Sequence, residues 1–187
     1  MQTSTNPYKS AIFPKSRRLK VSRRGLYQRF IVKLLAFQIS TMTRRAIAKP
    51  FANEFNLPLR SAYEHISKEL EECLVPDGIV QKIVSVPSVR GPRVYQTNGV
   101  ACYSLTLVGL LVSTCFEELD LDDRKRLLVN ALSSETSSEF AVDHKTKKQL
   151  FSHLNKYPEF TLELVKNCVL RYLEGQLHHP LDGIPTT

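Results

Sequence analysis

The residues best suited to chemistry in this chain are its cations. Residues 1–53 hold twelve Lys or Arg and no carboxylate, Glu54 being the first acid. Residues 54–187 carry 14 basic and 18 acidic side chains, so the formal net charge of +8 is concentrated at one end. Such segregation suits attraction to a polyanion better than general solubility. Lys15, Arg17, Arg18, Lys20, Arg23 and Arg24 all fall within Lys9–Arg29, which has eight cations, and Arg44, Arg45 and Lys49 follow it.

Residues that could catalyse are scarce. The chain has no glycine-rich phosphate loop, no His-Glu-x-x-His and no nucleophile elbow, so no enzyme activity is expected. His65, His144 and His153 are scattered, and the adjacent pair His178-His179 is poorly placed to face one metal. Cys73, Cys102, Cys115 and Cys168 form no Cys-x-x-Cys pair and sit among apolar residues, as small core hydrophobes do. Neither metal nor cofactor is expected. A reducing, cytoplasmic setting is the default for such thiols. Val100–Val112 is too short and too broken by Ser104, Thr106 and Gly109 to cross a bilayer, and no secretory signal is indicated before Ile31.

The apolar fraction of 42% supports a buried core, and the periodicity predicts mostly helices. Residues 1–22, polar and cationic, read as a disordered arm. A first helix is expected over Arg24–Gln38, with Leu26, Phe30, Leu34 and Phe37 as a stripe widened by Tyr27, Ile31 and Leu35. A second, capped by Ser40 or Thr41, covers Ala46–Phe55, where Pro50 predicts a kink or split. After the turn Asn56-Leu57-Pro58, a third helix runs over Leu59–Leu74, its stripe Leu59, Ala62, Ile66, Leu70 and Cys73 stepping by three and four.

Two β-branched runs, Ile79–Val86 and Val100–Leu105, read as strands, with a short strand at Val94–Gln96 before the turn signal Asn98-Gly99. Helices are then expected at Leu107–Leu119 behind a Thr106 cap, from Asp122–Asp123 through Leu132, at Asp143–Leu154, and at Phe160–Glu174 before Gly175. Ser133–Ser138 reads as a linker, and the residues around Pro180, Gly183 and Pro185 as a frayed tail. The fold class is mainly α with a small β wing (α+β). Three regions follow: an arm over 1–22, a domain over 23–118 and a C-terminal helical region over 119–187.

The order helix, helix, turn, helix and two-stranded ribbon over residues 24–105 resembles the winged helix-turn-helix family of archaeal and bacterial regulators. Arg45-Ala46-Ile47-Ala48-Lys49 looks like the start of the family's second helix, and Ser61–Leu74 like its recognition helix. Asp77-Gly78-Ile79-Val80 looks like the exit into the wing. Tyr103-Ser104-Leu105-Thr106-Leu107-Val108-Gly109 is similar to the family's Tyr-x-Leu-Thr-x-x-Gly junction.

The resemblance implies a sequence-specific double-stranded DNA-binding protein, a transcription regulator, with a recognition helix at 59–74, a wing at 87–99 and the basic arm. Arg60 would then pair with guanine, Ser61 would touch phosphate, and Glu64 would accept from cytosine, with Lys68 on the same face. Arg44, Arg45 and Lys49 would hold phosphates near the second helix, and Arg90 and Arg93 would flank the wing tip. Glu69, Glu71 and Glu72 crowd the far end of the recognition helix, where they would repel phosphate. Leu162, Val165, Val169 and Tyr172, broadened by Leu164, Cys168 and Leu173, suggest a homodimer through 160–174. Charge alone does not separate DNA from RNA. A structural role in a ribonucleoprotein, or a winged helix that docks proteins in a transcription or replication assembly, stays open.

Overall fold

Caps and turn residues cut the chain into seven helices and three short strands among the described residues, a mainly helical α+β chain with a three-stranded antiparallel sheet. A computed structural model describes residues 11–13, 21–38, 41–84, 100–133, 143–182 and 184. These divide into two compact units, over residues 10–105 and 106–187.

In the first unit, Ser22 caps α1 (Arg23–Ala36), its hydroxyl accepting from Gly25 N at 3.1 Å. β1 (Met42–Thr43) leads directly into α2 (Arg44–Glu54), capped by Thr43 and not by the residues expected from the sequence. Pro50 lies inside α2, yet the helix runs on through it. Ala46, whose carbonyl thereby lacks a helical donor, is on the exposed side, where water can supply one. Asn56 takes a left-handed φ of 49° and ends the helix.

α3 (Leu59–Glu69) follows and widens into a π-helical turn, Leu70–Leu74, closed by Val75 N donating to Leu70 O at 2.9 Å. β2 (Val80–Val84) and β3 (Ala101–Leu105) pair antiparallel, Lys82 opposite Tyr103, and β1 joins the other side of β3 with Met42 opposite Tyr103. The sheet order is therefore β1-β3-β2.

Ile31, Val32, Ile47, Phe51, Ala62, Ile66 and Leu70 form the core between the three helices. Tyr27 meets Phe51 and Phe55 edge-on at one end, and those two rings are tilted on each other, with ring centroids 4.6 to 5.0 Å apart. Two expected stripes shift here. α1 buries Tyr27, Gln28, Ile31, Val32 and Leu35, and leaves Leu26 exposed, because Gln28 finds a buried acceptor in Glu69. α3 buries Ala62 and Ile66, but Leu59, in its first turn, is 46% exposed. Part of the expected disordered arm is also docked. Ile12 is fully buried, Ala11 N donates to Gln28 Oε1 at 2.6 Å, and Arg29 Nε donates to Ile12 O at 2.8 Å.

The second unit contains α4 (Leu107–Thr114), α5 (Leu121–Ser133), α6 (His144–Lys156) and α7 (Pro158–Leu173). Thr106, Asp120 and Asp143 supply side-chain oxygens to the backbone at the starts of α4, α5 and α6. Gly175, at φ 75°, ends the chain's last helix, as only a residue without Cβ does readily. α7 packs on α4, α5 and α6, so α4 groups with the C-terminal helices and the division falls before Thr106, not after residue 118.

Leu162, Val165, Cys168 and Val169 are buried in that packing, so covering the stripe expected to dimerise needs no second copy. Pro180 and Leu181 are buried too, where the sequence suggested fraying. The linker at 134–138 and the strand at Val94–Gln96 lie outside the described residues. No helix among the described residues is long and apolar enough to cross a membrane.

Candidate nucleic-acid interface

The front of α3 is set by its core stripe. With Ala62, Ile66 and Leu70 turned inward, Arg60, Tyr63, Glu64, His65 and Lys68 face solvent, and Ser61 is half-buried. Arg60 is 92% exposed and meets Glu64 one turn on at 3.3 Å. A pair this exposed is held by less than about 1 kcal/mol, so the guanidinium can leave it for another acceptor.

The far end of the helix is arranged differently from the sequence reading. Glu69 is buried and accepts from Arg24 Nε at 2.9 and 3.0 Å and from Gln28 Nε2 at 2.5 Å. Glu71 Oε1 accepts from Arg44 Nη2 and from the Tyr103 hydroxyl, each at 2.7 Å, and from Lys82 Nζ at 3.1 Å. Two of the three glutamates expected to repel phosphate are thus neutralised within the unit, and Glu72 alone of the three is exposed.

These pairs also occupy two cations proposed from the sequence as phosphate contacts. Arg24 spends its fork on Glu69 and on Cys73 Sγ, and Arg44 bonds Tyr103, Ser67 and Glu71. Both guanidiniums pin neighbouring elements to α3 and β3.

Charge is balanced tightly around Tyr103. Burial works to raise the Glu71 carboxyl, but hydrogen bonds from Tyr103 and Lys82 and the charges of Lys82 and Arg44 outweigh it and hold it below the usual range. Burial, and then the hydrogen bond given to Glu71, push the Tyr103 phenol up to about 12. The proton stays on the phenol, and the network is fixed in one polarity.

Beside this network lies an open hollow of about 380 Å³, lined by Thr43, Arg44, Arg45, Tyr63, Val100 and Ala101. It joins the start of α2, the front of α3 and the first residues of β3. Arg45, Lys49 and Lys68 are exposed and form no ion pair among the described residues. Arg23 is exposed and donates Nε to Tyr27 OH at 2.9 Å.

One surface therefore gathers Arg45, Arg60, Ser61, Glu64 and Lys68, with Arg24 and Arg44 behind it. Lys15, Arg17, Arg18, Lys20, Arg90 and Arg93, and with them the wing at 87–99, lie outside the described residues. Tyr63 was not singled out from the sequence. Its signal was its place between Arg60 and Glu64, off the core stripe, where an aromatic ring has no packing reason to be. No described group of His, Cys, Asp or Glu is arranged to hold a metal ion. Compared with protein-family models, curated proteins and solved structures, the chain matches none.

Proposed function

We propose that this chain is a sequence-specific double-stranded DNA-binding protein of winged helix-turn-helix type, acting as a transcription regulator. The observation that carries the reading is the division of charge on α3. Its front presents Arg60, Ser61 and Lys68, while Glu69 and Glu71 behind them are consumed by Arg24, Arg44 and Lys82. A phosphate backbone approaching this helix therefore meets Arg60 and Lys68 with two exposed carboxylates, Glu64 and Glu72, in place of the four that the bare sequence suggests. The order α1–β1–α2–α3–β2–β3 supports the fold assignment. Arg60 reads a guanine edge, Glu64 or Ser61 an adjacent position, and Arg45, Lys49 and Lys68 hold phosphates. The arm cations Lys15, Arg17, Arg18 and Lys20 and the wing residues Arg90 and Arg93 add attraction to the same polyanion.

A docking role for the same surface draws on one observation, the exposed Leu59 and Tyr63 within the cationic front. Apolar groups there suit a protein partner, although they also suit the thymine methyl and the sugar faces of a groove. Competition among duplex DNA, duplex RNA and single strands for the full chain at fixed salt tests the proposal. Duplex DNA should displace the others. Equal or better competition by duplex RNA would transfer the function to RNA, and indifference to all three would leave the docking role.

A further inference from the structure

The C-terminal unit is acidic as a whole, residues 106–187 holding twelve Asp or Glu against nine Lys or Arg. Four of the nine stand on α6, whose thirteen residues, His144–Lys156, include no acid. The helix buries Thr146, Leu150 and Leu154. Helical geometry then puts Lys145, Lys148, Ser152, Asn155 and Lys156 on the opposite face, and all five are exposed. Lys145 and Lys156 stand about 16 Å apart along the axis at ~1.5 Å per residue.

Other bases of this unit are spent on neighbours. Lys125 pairs with Asp122 at 3.1 Å, Arg126 with Asp123 at 2.8 Å, and Lys166 with Glu117 at 2.6 Å. Lys147, Lys148 and Lys156 have no such pair among the described residues. Asp143, just before the helix, is committed to its cap. Asp143 at its cap and Lys156 in its last turn suit the helix dipole, but the cations of the first turn do not. The first turn contains no acid, Lys145 stands near the positive end of the dipole, and Lys145 and Lys148 are like charges three residues apart. Unfavourable cations at one helix end are expected where a surface serves another purpose. A polyanion laid along the face relieves both repulsions, and Ser152 and Asn155 are side chains that hydrogen-bond phosphate oxygens alongside lysine.

We infer that this face of α6 is a second contact for the phosphate backbone of duplex DNA, carried by the C-terminal unit. The inference rests on the proposed duplex-binding function. Lysine, serine and asparagine on phosphates carry no base information, so the face adds affinity evenly across sequences.

The test is K145Q/K148Q/K156Q in the full chain, titrated by fluorescence anisotropy against a preferred and a scrambled duplex between 50 and 200 mM salt. Loss of three phosphate contacts should shrink the log–log salt slope by about 2 to 3 units on both duplexes. K125Q/R126Q/R171Q, which removes the same charge elsewhere on the unit, should leave the slope within about half a unit of wild type. Circular dichroism checks folding. Should the triple variant unfold, K148Q/K156Q, which spares the first turn, should still lower the slope by about 2 units. An α6 variant with the wild-type slope, or a control that loses as much, overturns the α6 contact while leaving duplex binding intact. A wild-type chain that binds no duplex overturns both readings together.

Discussion

Glu69 of α3 and Arg24 of α1, 45 residues apart in sequence, meet at 2.9 Å, with the carboxylate 5% exposed and the guanidinium 44% exposed. The pair fastens the acidic end of α3 to the first helix, and Gln28 shares the same carboxylate. Glu69→Ala takes an acceptor from both donors, one of them buried. It should destabilise the first unit by about 1–3 kcal/mol, seen as a lower denaturant midpoint with unchanged slope. Glu72→Ala, exposed on the same helix, should shift the midpoint by less than about 0.5 kcal/mol. Equal effects would show that the Arg24 pair does not organise the helix.

The network around Tyr103 predicts how stability varies with pH. Glu71 has a folded pKa below its unfolded value, so its contribution is present above the unfolded pKa and is lost as pH falls through the folded one. Tyr103 has a raised folded pKa. Its contribution is present below the unfolded phenol value and is lost as pH rises towards about 12. Glu71→Gln should flatten the acid limb of the stability profile, and Tyr103→Phe the alkaline limb. Thermal unfolding across pH measures both. A Glu71→Gln variant that keeps the wild-type acid slope contradicts the assignment.

Gly25 lets the segment around Ile12 lie against α1. A Cβ there would fall 2.2 Å from Ala11 O and 2.5 Å from Val21 Cγ1, the first a backbone atom with little room to move. Gly25→Ala should therefore cost about 1–3 kcal/mol despite alanine's better helix propensity, and speed proteolysis before residue 21. A variant as stable and as resistant as wild type would show that the contact does not constrain the arm.

Elements that rest on local spacing were legible in the sequence. Ala62, Ile66, Leu70 and Cys73 gave α3 its buried side, and Thr106, Asp143 and Gly175 marked helix ends through chemistry confined to a few residues. What depends on distant partners was not. The two-residue strand β1 has no periodicity and exists because β3 lies beside it. The α1 stripe sits one residue from the expected one because Gln28 and Arg24 answer Glu69. The candidate site shows the same division. Exposure of Arg60, Glu64 and Lys68 follows from helical geometry, whereas the internal use of Arg24 and Arg44, and the neutralised Glu69 and Glu71, depend on pairs spanning 11 to 59 residues.

The central claim is that the front of α3 reads base pairs in duplex DNA, and Arg60→Ala tests it most directly. Arg60 is almost wholly exposed and only its weak pair with Glu64 is lost, so the fold should be unaffected. A preferred duplex is first selected from a randomised pool with the wild-type chain. Wild type and variant are then titrated at one salt concentration against that duplex and against single-base substitutions of it. The account predicts a loss of about 1–3 kcal/mol, or roughly 5- to 150-fold in Kd, on the preferred duplex, with preference relaxed at one position only. A folded Arg60→Ala chain that binds every duplex as tightly and as selectively as wild type would contradict it.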